Sequence, residues 1–180
     1  MATELLRPNA AGDECNIISQ VGDACPNHYL NVDEESHDSD TTVVYEAGAT
    51  FRRDFYNIDN SGIGAGTITK ITVYNIARAN TTPTQTNLKV CIKSGTGAGA
   101  PDTASESAEK TTTDTYASYD NEWATNPATS AAWTWEEIDA LQIGCSIREP
   151  VDPYSTLVTQ VYVVVDYQAY QAGAKRGWWK

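Results

Sequence analysis

Apolar side chains along this chain recur at every second position far more often than at helical spacing, so the chain is written mainly in strands. The longest run is Thr67–Ala79, where Ile71, Val73 and Ala77 share one parity and mark a core face. Asn87–Lys93 places Leu88, Val90 and Ile92 on one side and Lys89, Cys91 and Lys93 on the other. Phe51–Ile58 alternates in the same way, and Thr41–Glu46 is rich in β-branched residues. Thr111–Tyr119 has strand composition, and Gln142–Arg148 and Thr156–Tyr167 complete the series. In the last of these, Val161, Val163, Val165 and Tyr167 face one way and Tyr162, Val164 and Asp166 the other. Both faces carry apolar groups, as a central strand requires.

One segment breaks the two-residue rhythm. Trp135, Ile138 and Leu141 recur every three residues and predict a short helix. Thr134 and Glu137 have the spacing of a capping box, and Trp133 and Ile138 that of a hydrophobic staple. Gly144 is expected to end the helix.

The first forty residues are expected to be irregular. Leu5–Pro8 reads as a short edge strand, Asn9–Asp13 as a turn, and Ile17, Ile18 and Val21 as a further short strand. Ser94–Lys110, rich in Gly, Ala, Ser and Thr, reads as a surface loop. Many short strands separated by turn residues predict an all-β fold. The expected form is a single antiparallel β-sandwich of jelly-roll type over residues 1–167, with one short helix. A C-terminal arm follows over residues 168–180.

Charge narrows the function. Twenty-four acidic against twelve basic residues give a formal net charge of −12, a poor basis for holding phosphate backbones, so nucleic acid is not an expected partner. No apolar run approaches the ~18 residues of a membrane span. Met1–Ala11 lacks a basic segment followed by an apolar one, so synthesis in a host cytoplasm without a signal peptide is expected.

Candidate chemistry is sparse. Cys15, Cys25, Cys91 and Cys145 contain no C-x-x-C pair, so they predict no zinc signature. They are either reduced thiols or disulfide partners formed after release into an oxidising medium. Cys15 and Cys25 can close a small loop. Cys91 shares its parity with two lysines while Cys145 falls on the apolar parity, so a bridge between them is not expected. An outward Cys91 would instead be available between subunits. In the acidic run 33–40, Asp38 and Asp40 are the candidate Ca²⁺ ligands, although the run lacks the EF-hand register. No other cofactor is expected. His28 and His37 are the only histidines. No zincin, nucleophile-elbow or phosphate-loop motif occurs, and the expectation is that the chain is not an enzyme.

The last residues differ from the rest. Lys175, Arg176, Trp178, Trp179 and Lys180 bring positive charge and adjacent indoles with no acid, a composition suited to docking on the acidic body of a neighbouring copy.

The run W-A-T-N-P-A-T-S-A-A-W-T-W-E-E-I-D-A-L-Q-I-G at 123–144 and T-Q-V-Y-V-V-V-D-Y at 159–167 resemble a β-sandwich module of tailed-bacteriophage and prophage virion proteins. L-R-P-N-A-A-G-D at 6–13 and D-S-D-T-T-V-V-Y at 38–45 fit the start of the same module. The resemblance extends to about Tyr167 and implies a virion structural role, as a head decoration, fibre or tail-associated subunit. It implies homo-oligomeric contacts and contacts with other virion proteins, and no catalytic residues. The alternative is a carbohydrate-binding, lectin-like module for attachment to a host surface glycan, with Tyr116, Tyr119 and Trp123 as its aromatic platform.

Overall fold

The computed structural model describes residues 1–80, 87–97, 101–150 and 154–170. It is an antiparallel β-sandwich. The strands are β1 (Ala2–Leu6), β2 (Pro8–Cys15), β3 (Ser19–Val21), β4 (Val43–Glu46), β5 (Arg52–Ile58) and β6 (Thr67–Ala79). They continue as β7 (Leu88–Ser94), β8 (Thr103–Glu106), β9 (Ala117–Trp123), β10 (Gln142–Ile147) and β11 (Thr156–Gln168). One sheet has the order β3-β4-β11-β6-β9, with β1 paired to the far end of β11; the other has the order β2-β5-β10-β7-β8. Strands β4 to β11 therefore wind as a jelly roll. Two four-stranded sheets, 4-11-6-9 and 5-10-7-8, exchange the chain between them.

The parities read from the sequence are those of the structure. Ile71, Val73 and Ala77 meet Leu88, Val90 and Ile92 in one core with Val161, Val163 and Val165, and all are 4% exposed or less. Ile143, Cys145 and Ile147 line the same core from β10. At about 25 cal/mol per Å² of apolar surface, each buried Val, Leu or Ile side chain here contributes roughly 1.5–3 kcal/mol.

The short helix α1 (Trp135–Asp139) carries the chain from β9 in the first sheet to β10 in the second. Its capping box is complete: Glu137 N–H donates to Thr134 Oγ1 at 3.3 Å, and Thr134 N–H donates to Glu137 Oε2 at 2.9 Å. Trp133 and Ile138 are both in the core, as the staple requires. The indole N–H of Trp135 reaches Gly66 O at 3.2 Å, and its ring meets Tyr167 edge-on at 5.3 Å.

Gly144 does not end the helix. The helix stops at Ala140 and the chain enters β10 at Gln142. Gly144 lies inside that strand, where a Cβ would collide with the carbonyl oxygen of Asp54.

Two further expectations are corrected. Asn9–Asp13 is strand, not turn: β2 runs along β5 with register shifts that absorb its irregular composition. Thr103–Glu106, expected within a loop, is an edge strand on β7. Its side chains alternate between half-buried and exposed; pairing with β7, the Glu106 ion pairs and the hydrogen bond from the Trp123 indole N–H to Ser105 Oγ hold it without an apolar pattern. Strand β9 starts at Ala117 rather than Thr111 and runs on through Trp123.

Candidate functional site

The two outer faces of the sandwich are chemically different, and the difference follows from their sequences. On the β5-β10-β7 face, long charged side chains lie flat and pair with one another. Arg53 binds Glu14 at 2.8 Å and Glu106 at 2.9 Å, Lys89 binds Glu106 at 3.0 Å, and Lys93 binds Asp13 at 2.7 Å. The Lys93 ammonium and a hydrogen bond from Gln142 hold the Asp13 carboxyl below its usual range. Lys89 and Arg148 both stack on the Phe51 ring at 4.5 Å, and Arg53 covers Phe55 at 4.8 Å. Among the described residues, the hollow within this lattice is lined mainly by polar and charged groups, Glu14, Asn16, Arg53, Glu106 and Ser146, with Phe51 beside them.

The lattice also decides the fate of Cys91. The residue is on the outward parity with Lys89 and Lys93, as expected, but it is fully buried. Burial, then the neighbouring Glu106 carboxylate, push its thiol well above the usual value. The expected availability of Cys91 between subunits is therefore corrected: Arg53 and Lys89 lie over the sulfur. Cys145 is free and buried on the core side, and Cys15 is joined to Cys25 in a disulfide.

The opposite face, formed by β9, β6, β11 and β1, carries aromatic and aliphatic groups at its centre. Register places Tyr74 directly opposite Tyr162, with Asp120 on the other side of Tyr74. The next row is Glu122, Thr72, Val164 and Leu5. Ile76 lies between Ser118 and Gln160 in the row beyond Tyr74. The Tyr74 and Tyr162 rings stack with centroids 4.9 Å apart and planes 13° from parallel. That separation equals the spacing between strands, so the rings stand on the sheet and each turns a face to the other. Burial raises the Tyr162 phenol above its ordinary value, with Tyr74 adding to the effect. Asp120 and Glu122 are exposed beside the pair, and Lys70 pairs with Glu122.

Other expected site residues are dispersed. Asp38 accepts from Thr42 Oγ1 at 2.8 Å and Thr159 Oγ1 at 3.0 Å. Asp40 is held by Arg78 at 2.7 Å and by the Tyr116 hydroxyl at 2.6 Å, which together lower its carboxyl. Neither belongs to a His, Cys, Asp and Glu group of metal-ligand spacing among the described residues. Tyr116 is fixed against Asp40 and Arg78, while Tyr119 and Trp123 pack on the core, so the three do not form one platform. Lys175, Arg176, Trp178, Trp179 and Lys180 lie outside the described residues.

A second cluster stands at the N-terminal edge of the core. Asp54 is fully buried on β5, and its Oδ1 accepts the N–H groups of Asn16 at 2.6 Å and Ile17 at 2.9 Å. Its Oδ2 accepts from His28 Nδ1 at 2.7 Å, and the same nitrogen is 3.4 Å from Cys15 Sγ. His28 sits on a 3-10 turn (Asn27–Asn31) and is 1% exposed, too enclosed to meet a substrate. Sequence reasoning missed this group. The available signal was Cys25-Pro26-Asn27-His28, a C-x-x-H spacing beside an upstream cysteine.

No helix among the described residues is long and apolar enough to cross a membrane. No protein-family model matches the chain, and no curated protein matches it. Among solved structures, the chain is similar to the N-terminal cellulose-binding domain of β-1,4-glucanase C from Cellulomonas fimi. The TM-score is 0.41 at 19% identity, over 78% of this chain and 88% of that one.

Proposed function

We propose that this protein is a non-enzymatic structural subunit of a tailed-phage virion, acting through contacts with copies of itself and with other virion proteins. The observation that carries the proposal is the outer face of β9, β6, β11 and β1. It has a Tyr74–Tyr162 centre, aliphatic neighbours in Leu5, Ile76 and Val164, and an acidic rim in Asp120 and Glu122. Interface centres are enriched in tyrosine and depleted in charge, whereas the other face of the sandwich is covered by ion pairs around a hollow lined by Glu14, Arg53 and Glu106. The resemblance to virion modules supplies the setting.

The occupant that best fits this face is the stretch Lys175–Lys180 of a neighbouring subunit. Its two indoles suit the tyrosine centre and its three cations suit the acidic rim. A Tyr74→Ser, Tyr162→Ser double variant is expected to keep the native circular dichroism spectrum and to be lost from purified particles. Removal of Lys175–Lys180 is expected to have the same effect. Normal incorporation of the folded double variant into particles would overturn the assignment of this face.

The second reading, a glycan-binding module for host attachment, is favoured by the same tyrosines with carboxylates beside them. It is less well served because each ring spends one face on the other, and sugars stack on a free face. Glycan binding by the isolated chain that disappears in the double variant would move the assignment to that reading.

A further inference from the structure

We propose that Cys15, Cys25, His28 and Asp54 form a zinc-class metal site when the Cys15–Cys25 disulfide is reduced. This corner of the sandwich would then exist in two alternative states, disulfide or metal-bound. The proposal is independent of the role assigned to the tyrosine face.

Geometry comes first. Cys15 Sγ, His28 Nδ1 and Asp54 Oδ2 all lie within 4.8 Å of one another. Cys25 Sγ is bonded to Cys15 Sγ, with Cα atoms 6.0 Å apart; it is not one of the three atoms so grouped, and it would join them by rotation of its exposed side chain once the S–S bond is broken. Zinc binds sulfur at about 2.3 Å and nitrogen or oxygen at about 2.0–2.1 Å. Tetrahedral angles then put neighbouring ligand atoms about 3.3–3.8 Å apart. The Cys15–His28 separation of 3.4 Å is already in that range. The His28–Asp54 contact of 2.7 Å needs to open by only about half an ångström once a cation replaces the shared proton.

The supports are rigid. Cys15 and Asp54 face each other in the register of β2 and β5. Two backbone N–H groups fix the other oxygen of Asp54, the outer-sphere arrangement that orients a ligating carboxylate. Cys25 and His28 come from one short loop, which buried Asn31 ties down by accepting from Asp23 N–H at 2.8 Å and donating to Asp23 O at 2.7 Å. His28 Nε2 is buried without a hydrogen-bond partner among the described residues, so metal binding at Nδ1 moves the ring proton to a nitrogen with no acceptor, a cost that the new metal–ligand bonds offset.

The donor set selects the metal. Two thiolates with an imidazole and a carboxylate suit zinc and its borderline-soft neighbours, and they do not suit calcium or magnesium. The chemistry balances as follows. A phosphine and one water reduce the disulfide by two electrons, breaking the S–S bond to give two thiols and a phosphine oxide. The metal ion then displaces one proton from each thiol, and the Nδ1 proton moves to Nε2.

The test uses the full chain, reduced with a phosphine under argon and titrated with ZnCl₂ or with CoCl₂. The expected result is one metal ion per reduced chain by native mass spectrometry and none in the disulfide form. The cobalt form should show a tetrahedral d–d spectrum with thiolate charge-transfer bands. Cys25→Ser and His28→Ala should each weaken zinc binding at least about 100-fold. Cys91→Ala, a buried cysteine outside the cluster, should leave binding unchanged. Asp54→Asn, which keeps an oxygen for Asn16 and Ile17, covers the case in which the other variants fail to fold. A reduced, folded chain that takes up no cobalt would overturn the proposal. So would equal metal binding by the disulfide form, or by the Cys25→Ser variant.

Discussion

Replacing Asp54 by alanine is the most demanding test of the structural reasoning. The carboxylate receives four donors: Asn16 N–H, Ile17 N–H and His28 Nδ1 at 2.6, 2.9 and 2.7 Å, and the Tyr56 hydroxyl at 3.4 Å. His28 and Ile17 are both buried, so water cannot take over from Asp54 at those two donors. An unmade buried hydrogen bond costs about 1–3 kcal/mol, and removing one member of a buried pair typically costs about 3–5 kcal/mol. We expect Asp54→Ala to lose about 3–5 kcal/mol, a large share of the roughly 5–15 kcal/mol that holds such a domain together. Asp54→Asn should cost less, about 1–3 kcal/mol. Its oxygen can still serve the two backbone donors, but its amide forces His28 Nδ1 to accept and sends the ring proton to unpartnered Nε2. Urea unfolding followed by tryptophan fluorescence, with the disulfide intact in every sample, would read these losses as shifts in midpoint. A loss below about 0.5 kcal/mol for Asp54→Ala, the level of an ordinary surface substitution, would refute the reasoning.

Three other expectations follow from named contacts. Thr134→Ala removes the acceptor of Glu137 N–H and should cost about 1 kcal/mol in urea, with no change in the β signature by circular dichroism; a neutral result would deny the capping box its role. Burial raises the Glu34 carboxyl above its ordinary value, so the folded state keeps that proton to higher pH than the unfolded chain does. The resulting stabilisation is present below the unfolded value and is lost as pH rises through the folded one. Glu34→Gln should accordingly be more stable than the native protein at pH 7, and the gap should close in melts below about pH 4. Burial likewise raises Cys91 and Cys145 well above 9.0, so both thiols should ignore a disulfide reagent at pH 8 until the chain is unfolded. The same sign makes stability fall as pH climbs past the unfolded thiol value, a slope that Cys91→Ala should reduce. Rapid labelling of native Cys91 would contradict its place beneath Arg53 and Lys89.

The sequence by itself determined the elements whose signals are local. Alternation at Thr67–Ala79, Asn87–Lys93 and Thr156–Tyr167 set strand faces, because side-chain direction along a strand depends only on parity. Thr134 and Glu137 set the helix start, because a capping box closes within four residues. Tertiary structure decided whatever depended on partners far along the chain. Cys91 has an outward parity, yet it is buried because Arg53, from a strand two places away in the sheet, lies across it with Lys89. Polar Thr103–Glu106 is a strand only because β7 offers it an open edge. Tyr74 and Tyr162 become one stacked pair only in the register of β6 and β11. The cluster of Cys15, His28 and Asp54 arises when β2, a short turn and β5 converge. Periodicity reports which way a side chain points, whereas burial and chemistry depend on what the fold places over it.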